Sequence, residues 1–293
     1  MTTKIRGTLD AAMVGVTVGP ITQTIDARWL MAYAAGLGET DPRYFDTLSA
    51  GGPIAHPIFP VCYEWPVAVA LRNATIPADL QAQSVHATHH LTIHRPLRAG
   101  DMLRTTARVI EVAARRSGTE VVSRFETIDA RGDPVTTTDY GSVYRDVALV
   151  GAPHRDSRAD GLWSRPKELP ASDGTAGWTE QVEVGGHAAW IYTECARIWN
   201  PIHTDIAVAQ RAGLSAPILH GTATLALAVS RIVTRELSGD ASRVRQIHVR
   251  FTGMVLMPSL FNIRVCRPSA DRILFDGLAP NGAFILAHGG VYA

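Results

Sequence analysis

His203 closes the run Trp199-Asn200-Pro201-Ile202-His203, and Pro217-Ile218-Leu219-His220-Gly221 follows it along the chain. Asn-Pro biases the backbone toward a turn, and a proline is harmless at a first helical position because its missing N–H has no partner there. His203 is therefore expected on a sharp loop where the chain turns into a helix. An imidazole so placed can take or give a proton near neutral pH. The second run opens a long apolar helix, expected over 222–237. There the backbone N–H of Gly221 would meet a ligand with the positive end of the helix dipole. The stretch 192–221 is where acid–base chemistry is expected.

The rest of the chain must hold these two runs together. Residues 25–37, IDARWLMAYAAGL, carry apolar side chains at helical spacing, with Asp26 as the expected N-cap. GETDP breaks that helix, and GGPIAHPIFP leads into a second helical run over 61–73. Strand-like runs follow at 85–93, 102–114, 119–130 and 135–147, and residues 1–20 read as a leading segment or strand. A long helix followed by antiparallel strands argues for α+β, not a doubly wound sheet.

The second half repeats this order. Helical AAWIYTECARI precedes the WNPIH break and the helix at 222–237, and strands are expected at 244–252, 262–267, 272–278 and 283–293. Without gaps, Tyr33 aligns with Tyr192, Asp41-Pro42 with Asn200-Pro201 and Asp46 with Asp205. Pro53-Ile54-Ala55-His56-Pro57 aligns with Pro217-Ile218-Leu219-His220-Gly221 after a five-residue difference in length. This is the signature of a duplicated domain. The expected units are 1–149 and 179–293, joined by a Pro-, Gly- and Ser-rich linker over 150–178.

Composition bounds the function. A chain of 293 residues with 46% hydrophobic and 19% charged residues can bury a substantial core in two domains. A net charge of +1 gives no case for nucleic acid or a membrane surface. No window approaches the ~20 apolar residues of a membrane span, and the termini carry no secretion-signal pattern. Three scattered cysteines, Cys62, Cys195 and Cys266, form no CxxC, so a reducing cytoplasm is expected. His86, His89, His90 and His94 invite a metal reading. On a strand, however, His86, His90 and His94 share one face over too long a span for one ion, with no Cys or carboxylate joining them. No metal and no cofactor is expected.

The run NPIHTD, then AxxAG, then PILHG resembles the MaoC-like (R)-specific enoyl-CoA hydratases, and the duplication resembles their double-hotdog, hydratase-2 type. The resemblance implies an α+β double hotdog, in which each of two tandem units is a long helix wrapped by an antiparallel sheet. It also implies reversible addition of water across a 2-enoyl thioester. The first half is the degenerate one, with Tyr44 in place of His203. The family's catalytic pair lies in the pattern Asp-x-Asn-Pro-x-His. Asn200, Pro201 and His203 match it, whereas the Asp position is Ile198. By the resemblance His203 is the acid–base residue, Asn200 holds water or orients it, and Gly221 with His220 receives the thioester carbonyl. Two carboxylates could replace the missing one: Glu194, four residues before Ile198, and Glu39, the first-half counterpart of Ile198. Asp205 reads as a helix cap. Arg95, Arg98, Arg115 and Arg116 read as a solvated face or as contacts to phosphates.

The expected function is a hydro-lyase on an acyl-CoA or acyl-carrier thioester, in either direction, with a homodimer possible. The alternatives are a diverged thioesterase or isomerase, and a non-catalytic thioester-binding partner subunit. Ile198 keeps both open.

Overall fold

In the computed structural model, residues 5–157 and 177–293 are described. The first half contains β1 (Gly7–Asp10), β2 (Thr17–Thr24), α1 (Ala27–Gly36), α2 (Pro60–Thr75), β3 (Ser84–Ile93), β4 (Met102–Arg115), β5 (Gly118–Ile128), β6 (Pro134–Arg145), β7 (Val147–Val150) and β8 (His154–Arg155). The second half contains β9 (Trp178–Val184), α3 (Ala188–Ala196), α4 (Ile206–Arg211), α5 (Gly221–Glu236), β10 (Gln246–Phe251), β11 (Ser259–Ser269), β12 (Arg272–Leu278) and β13 (Phe284–Tyr292).

Eleven strands form the main sheet, in the order β2-β4-β5-β6-β3-β10-β13-β12-β11-β9 with β8 pairing to β4, and β1 and β7 form a separate two-stranded sheet. Read outward from the middle, the two halves have the same order, each element matching its counterpart. The duplication seen in the sequence is thus a pseudo-twofold in space. Its seam is the antiparallel pair β3·β10, in which His248 faces His90 and Gln246 faces Thr92. Helices α1 and α3 also meet across this axis. Tyr33 and Tyr192, aligned by sequence, touch through their hydroxyls at 3.2 Å, and Tyr192 donates to the Thr222 hydroxyl at 3.1 Å. One apolar core runs through both halves, from Trp29, Phe59 and Leu91 to Val229, Ile247 and Phe261.

Local chemistry explains the element boundaries. Asp26 caps α1 through the Trp29 N–H, and Asp205 caps α4 through Ala207 and Val208. Pro60 starts α2, where a missing N–H is harmless.

Three expectations need correction. The strand expected over 135–147 breaks at Asp146, whose φ of 59° turns the chain into β7 for parallel pairing with β1. The linker expected over 150–178 begins as ordered chain, since β8 pairs with β4; residues 158–176 lie outside the described residues. The shared face of His86, His90 and His94 is interrupted by a bulge between His86 and Thr88, which resets the alternation. His86 and His89 come together instead, with ring centres 5.4 Å apart. No group of three or more His, Cys, Asp or Glu positioned to hold a metal occurs among the described residues. Nor is any helix among them long and apolar enough to cross a membrane.

Candidate active site

Asn200 begins a single 3-10 turn, Pro201–His203, and its side-chain oxygen accepts from the Ile202 N–H at 3.5 Å. The turn delivers His203 against the loop that leads into α5. There Nδ1 of His203 lies 2.9 Å from the Ile218 carbonyl oxygen. A carbonyl only accepts, so Nδ1 carries the proton and Nε2 keeps its lone pair. Burial pushes the His203 pKa down to about 4, with the Ile218 carbonyl acting against that, so the ring is neutral around pH 7. His220 stacks on it, with ring centres 3.7 Å apart and planes 26° apart. His220 is itself only 2% exposed, and its Nε2 meets the Thr193 hydroxyl at 3.3 Å. Burial, then the neighbouring His203, holds His220 far below the usual imidazole range.

Gly221 is the first residue of α5, so its N–H has no intrahelical acceptor. A Cβ at this position would stand 3.3 Å from the Phe251 ring, so glycine lets that ring close over the helix start. His203, His220, Gly221 and Asn200 all line one cleft of about 710 Å³, which extends from the second half past Phe251, His86 and Tyr140 to α2. The cleft therefore sits between the halves. The structure brings together four of the five residues singled out from the sequence.

Glu194 is the fifth, and it is not brought there. It lies on the exposed face of α3, outside the cleft lining, because Arg197 ends the helix in the left-handed conformation (φ 58°) and turns the chain before Ile198. The helical continuation that would have put Glu194 and Ile198 on one face does not occur. Arg197 faces Asp26 at 3.9 Å and covers the Trp29 ring, rather than pairing with Glu194. Ile198 is 5% exposed and forms apolar cleft wall.

Glu39 belongs to the counterpart site of the first half. Its carboxylate lies 3.9 Å from Nε2 of the buried His56, and burial raises its pKa. Tyr44, the counterpart of His203, is buried beside it. Ser230 of α5 reaches across from the second half and meets His56 at 3.2 Å. A separate pocket of about 280 Å³ opens next to His56.

A carboxyl group that the sequence reading missed lies in the main cleft. Glu64 on α2 is 4% exposed, and its Oε1 accepts from the Thr138 hydroxyl at 2.6 Å. Burial raises its pKa to about 8, only partly opposed by that hydrogen bond. A signal was available: Glu64 stands three residues after Val61 and three before Val67, on the apolar stripe of its helix.

Comparison with known proteins agrees with this architecture. Residues 12–138 match the FAS1-like dehydratase domain region, and residues 179–272 match the MaoC like domain. A peroxisomal multifunctional enzyme type 2 of Drosophila melanogaster is 26% identical over 172 residues, covering 59% of this chain and 28% of that protein. An enoyl-CoA hydratase of Mycobacterium tuberculosis is 23% identical over 283 residues, covering 93% of each. Of three other curated relatives, the peroxisomal enzyme included, the chain spans only 22% to 35% of the length. The crystal structure of a MaoC-like dehydratase from Phytophthora capsici superposes with a TM-score of 0.80 at 22% identity, covering 96% of this chain and 95% of that one. The repeated helix-and-sheet units, the seam between them and the two domain matches agree: the chain has the double-hotdog fold, with a first half that matches the FAS1-like dehydratase domain region and a second half that matches the MaoC like domain.

Proposed function

We propose that the protein is a hydro-lyase that adds water to, or removes it from, a 2-enoyl/3-hydroxyacyl thioester, with CoA or a carrier protein as the thiol. One observation carries this reading: the Ile218 carbonyl fixes the His203 tautomer so that Nε2 keeps its lone pair in the same cleft as the Gly221 N–H, which has no acceptor within its helix. Nε2 takes a proton from water as the oxygen adds to the β-carbon. Charge then develops on the thioester oxygen, where the Gly221 N–H and the positive end of α5 stabilise it. His220 backs the His203 ring, and Asn200 shapes the turn that presents it. The names of relatives, enoyl-CoA hydratase and multifunctional enzyme type 2, favour the same reaction class. Three free thiols fit a reducing compartment, the cytoplasm in our reading. We also propose that the double-hotdog units pair as homodimers.

Ile198 favours a second reading, because an apolar wall stands where the family has its aspartate. On that reading the protein is a thioesterase or isomerase, or it binds a thioester without turnover. The deciding experiment follows the enoyl absorbance of trans-2-enoyl-CoA substrates together with free-thiol release. Loss of the enoyl band without thiol, abolished at least ~100-fold in His203→Ala, is the expected result. Undiminished hydration in that variant removes His203 from the mechanism, and thiol release in place of hydration favours the thioesterase.

A further inference from the structure

Hydration moves two protons, one from the attacking water and one onto the α-carbon. His203 serves the first, and Ile198 offers nothing for the second. Two carboxyl groups occur among the described cleft-lining residues, Asp146 and Glu64. Asp146 faces Arg6 at 3.8 Å. Glu64 has no paired cation among the described residues, and only the Thr138 hydroxyl holds it, through one oxygen. An isolated carboxylate buried in this way is costly, and such a group keeps its proton instead. A neutral carboxylic acid is a proton donor.

The pseudo-twofold gives the position its meaning. On the first-half side, the central helix of the second half supplies Ser230 to His56. In the other direction α2, the central helix of the first half, carries Glu64 into the cleft of His203, at a place offset by two residues from the counterpart of Ser230.

We propose that Glu64 is the acid that protonates the substrate's α-carbon, so that the catalytic pair is assembled across the seam from both halves. This rests on the hydro-lyase reading above. In the hydration direction His203 Nε2 removes a proton from water and the C–O bond forms at the β-carbon. The π electrons move to the α-carbon and thioester oxygen, and the α-carbon then takes the Glu64 proton. His203 is left protonated and Glu64 ionised, and a proton returned from one to the other through cleft water restores both. Elimination runs the same steps backwards.

Other titratable groups around the cleft stay out of the way. Burial holds His86 and His220 neutral and keeps Tyr140 protonated. Arg72, two turns along α2, lies by the Trp65 ring.

The test uses the whole 293-residue chain with Glu64→Gln, Glu64→Asp and His203→Ala. The readouts are kcat and KM for trans-2-enoyl-CoA substrates between pH 5 and 9. Glu64→Gln is expected to lower kcat at least ~100-fold with KM nearly unchanged, and Glu64→Asp to recover part of it. Wild-type kcat is expected to fall above about pH 8, as Glu64 loses its proton, and this limb is expected to vanish in Glu64→Gln. Wild-type kcat in Glu64→Gln, an effect on KM alone, or a surviving basic limb each overturns the proposal. If those results accompany an active wild type and a dead His203→Ala, the hydro-lyase reading stands and only Glu64 falls. A wild type that hydrates nothing overturns both.

Discussion

Replacing Glu64 by glutamine should make the protein more stable, and increasingly so as pH rises. In the folded chain Glu64 titrates at about 8, against 4.5 for an ordinary glutamate. Below pH 4.5 the group is protonated whether the chain is folded or not, so it contributes no difference. Between the two values the unfolded chain ionises while the folded chain stays neutral. The unfolded state binds fewer protons there, and wild-type stability falls as pH rises. Above about 8 the full penalty is present. At about 1.4 kcal/mol per pH unit, the interval from 4.5 to about 8 sets a ceiling of about 5 kcal/mol. Water reaching the cleft-facing oxygen reduces this, and a gain of at least about 2 kcal/mol at pH 8 is expected. Glutamine keeps an oxygen for the Thr138 hydroxyl and does not titrate. The assay is urea unfolding of both proteins at pH 5 and pH 8, with fluorescence and circular dichroism followed together. Glu39 and every other shifted group are common to both chains and cancel in the difference. A difference that does not grow between the two pH values would falsify the picture of a buried, protonated Glu64. Together with the activity test, the expected result is a variant that is more stable but inactive.

Asp139→Ala should cost about 3–5 kcal/mol in the same unfolding assay, because it strands the buried Arg124, whose guanidinium forms hydrogen bonds of 2.6 and 2.7 Å to that carboxylate. A loss below about 1 kcal/mol would mean that water or another group takes over. Gly221→Ala should fold normally yet lose about tenfold in kcat on enoyl-CoA, since the new methyl presses on Phe251 at 3.3 Å and shifts the N–H proposed above to receive the thioester oxygen. An unchanged kcat there would exclude Gly221 as that donor.

Much of the fold could be read from the sequence because the duplication supplied each signal twice. The aligned Tyr33 and Tyr192 meet on the pseudo-twofold axis, and Asp26 and Asp205 cap the helices they were expected to cap. The short pieces β1, β7 and β8 escaped notice because two to four residues carry too little periodicity. His203, Asn200, His220 and Gly221 were legible as a local motif, for which spacing along the chain is enough. The carboxyl group proposed to complete the site was not. Glu194 looked close only if the helix ran on to Ile198, and a left-handed Arg197 decided otherwise. Glu64 is remote in sequence from His203 and arrives only when two halves close on one another. Pattern along a single helix could mark it as an oddity, but not name its partner.

The seam β3·β10 has a consequence for how such a site can change. A pair of identical hotdogs must carry every substitution on both sides of its axis. Glu64 stands seven residues after Pro57, and the corresponding place seven residues after Gly221 is Ala228, which is fully buried. In a symmetric dimer a carboxyl at the first position would force another into that packed interior. Joining the halves in one chain removes the obligation: one helix can hold an acid where the other holds a methyl group. The fused chain is thus free to be lopsided, with one cleft equipped at the expense of the other.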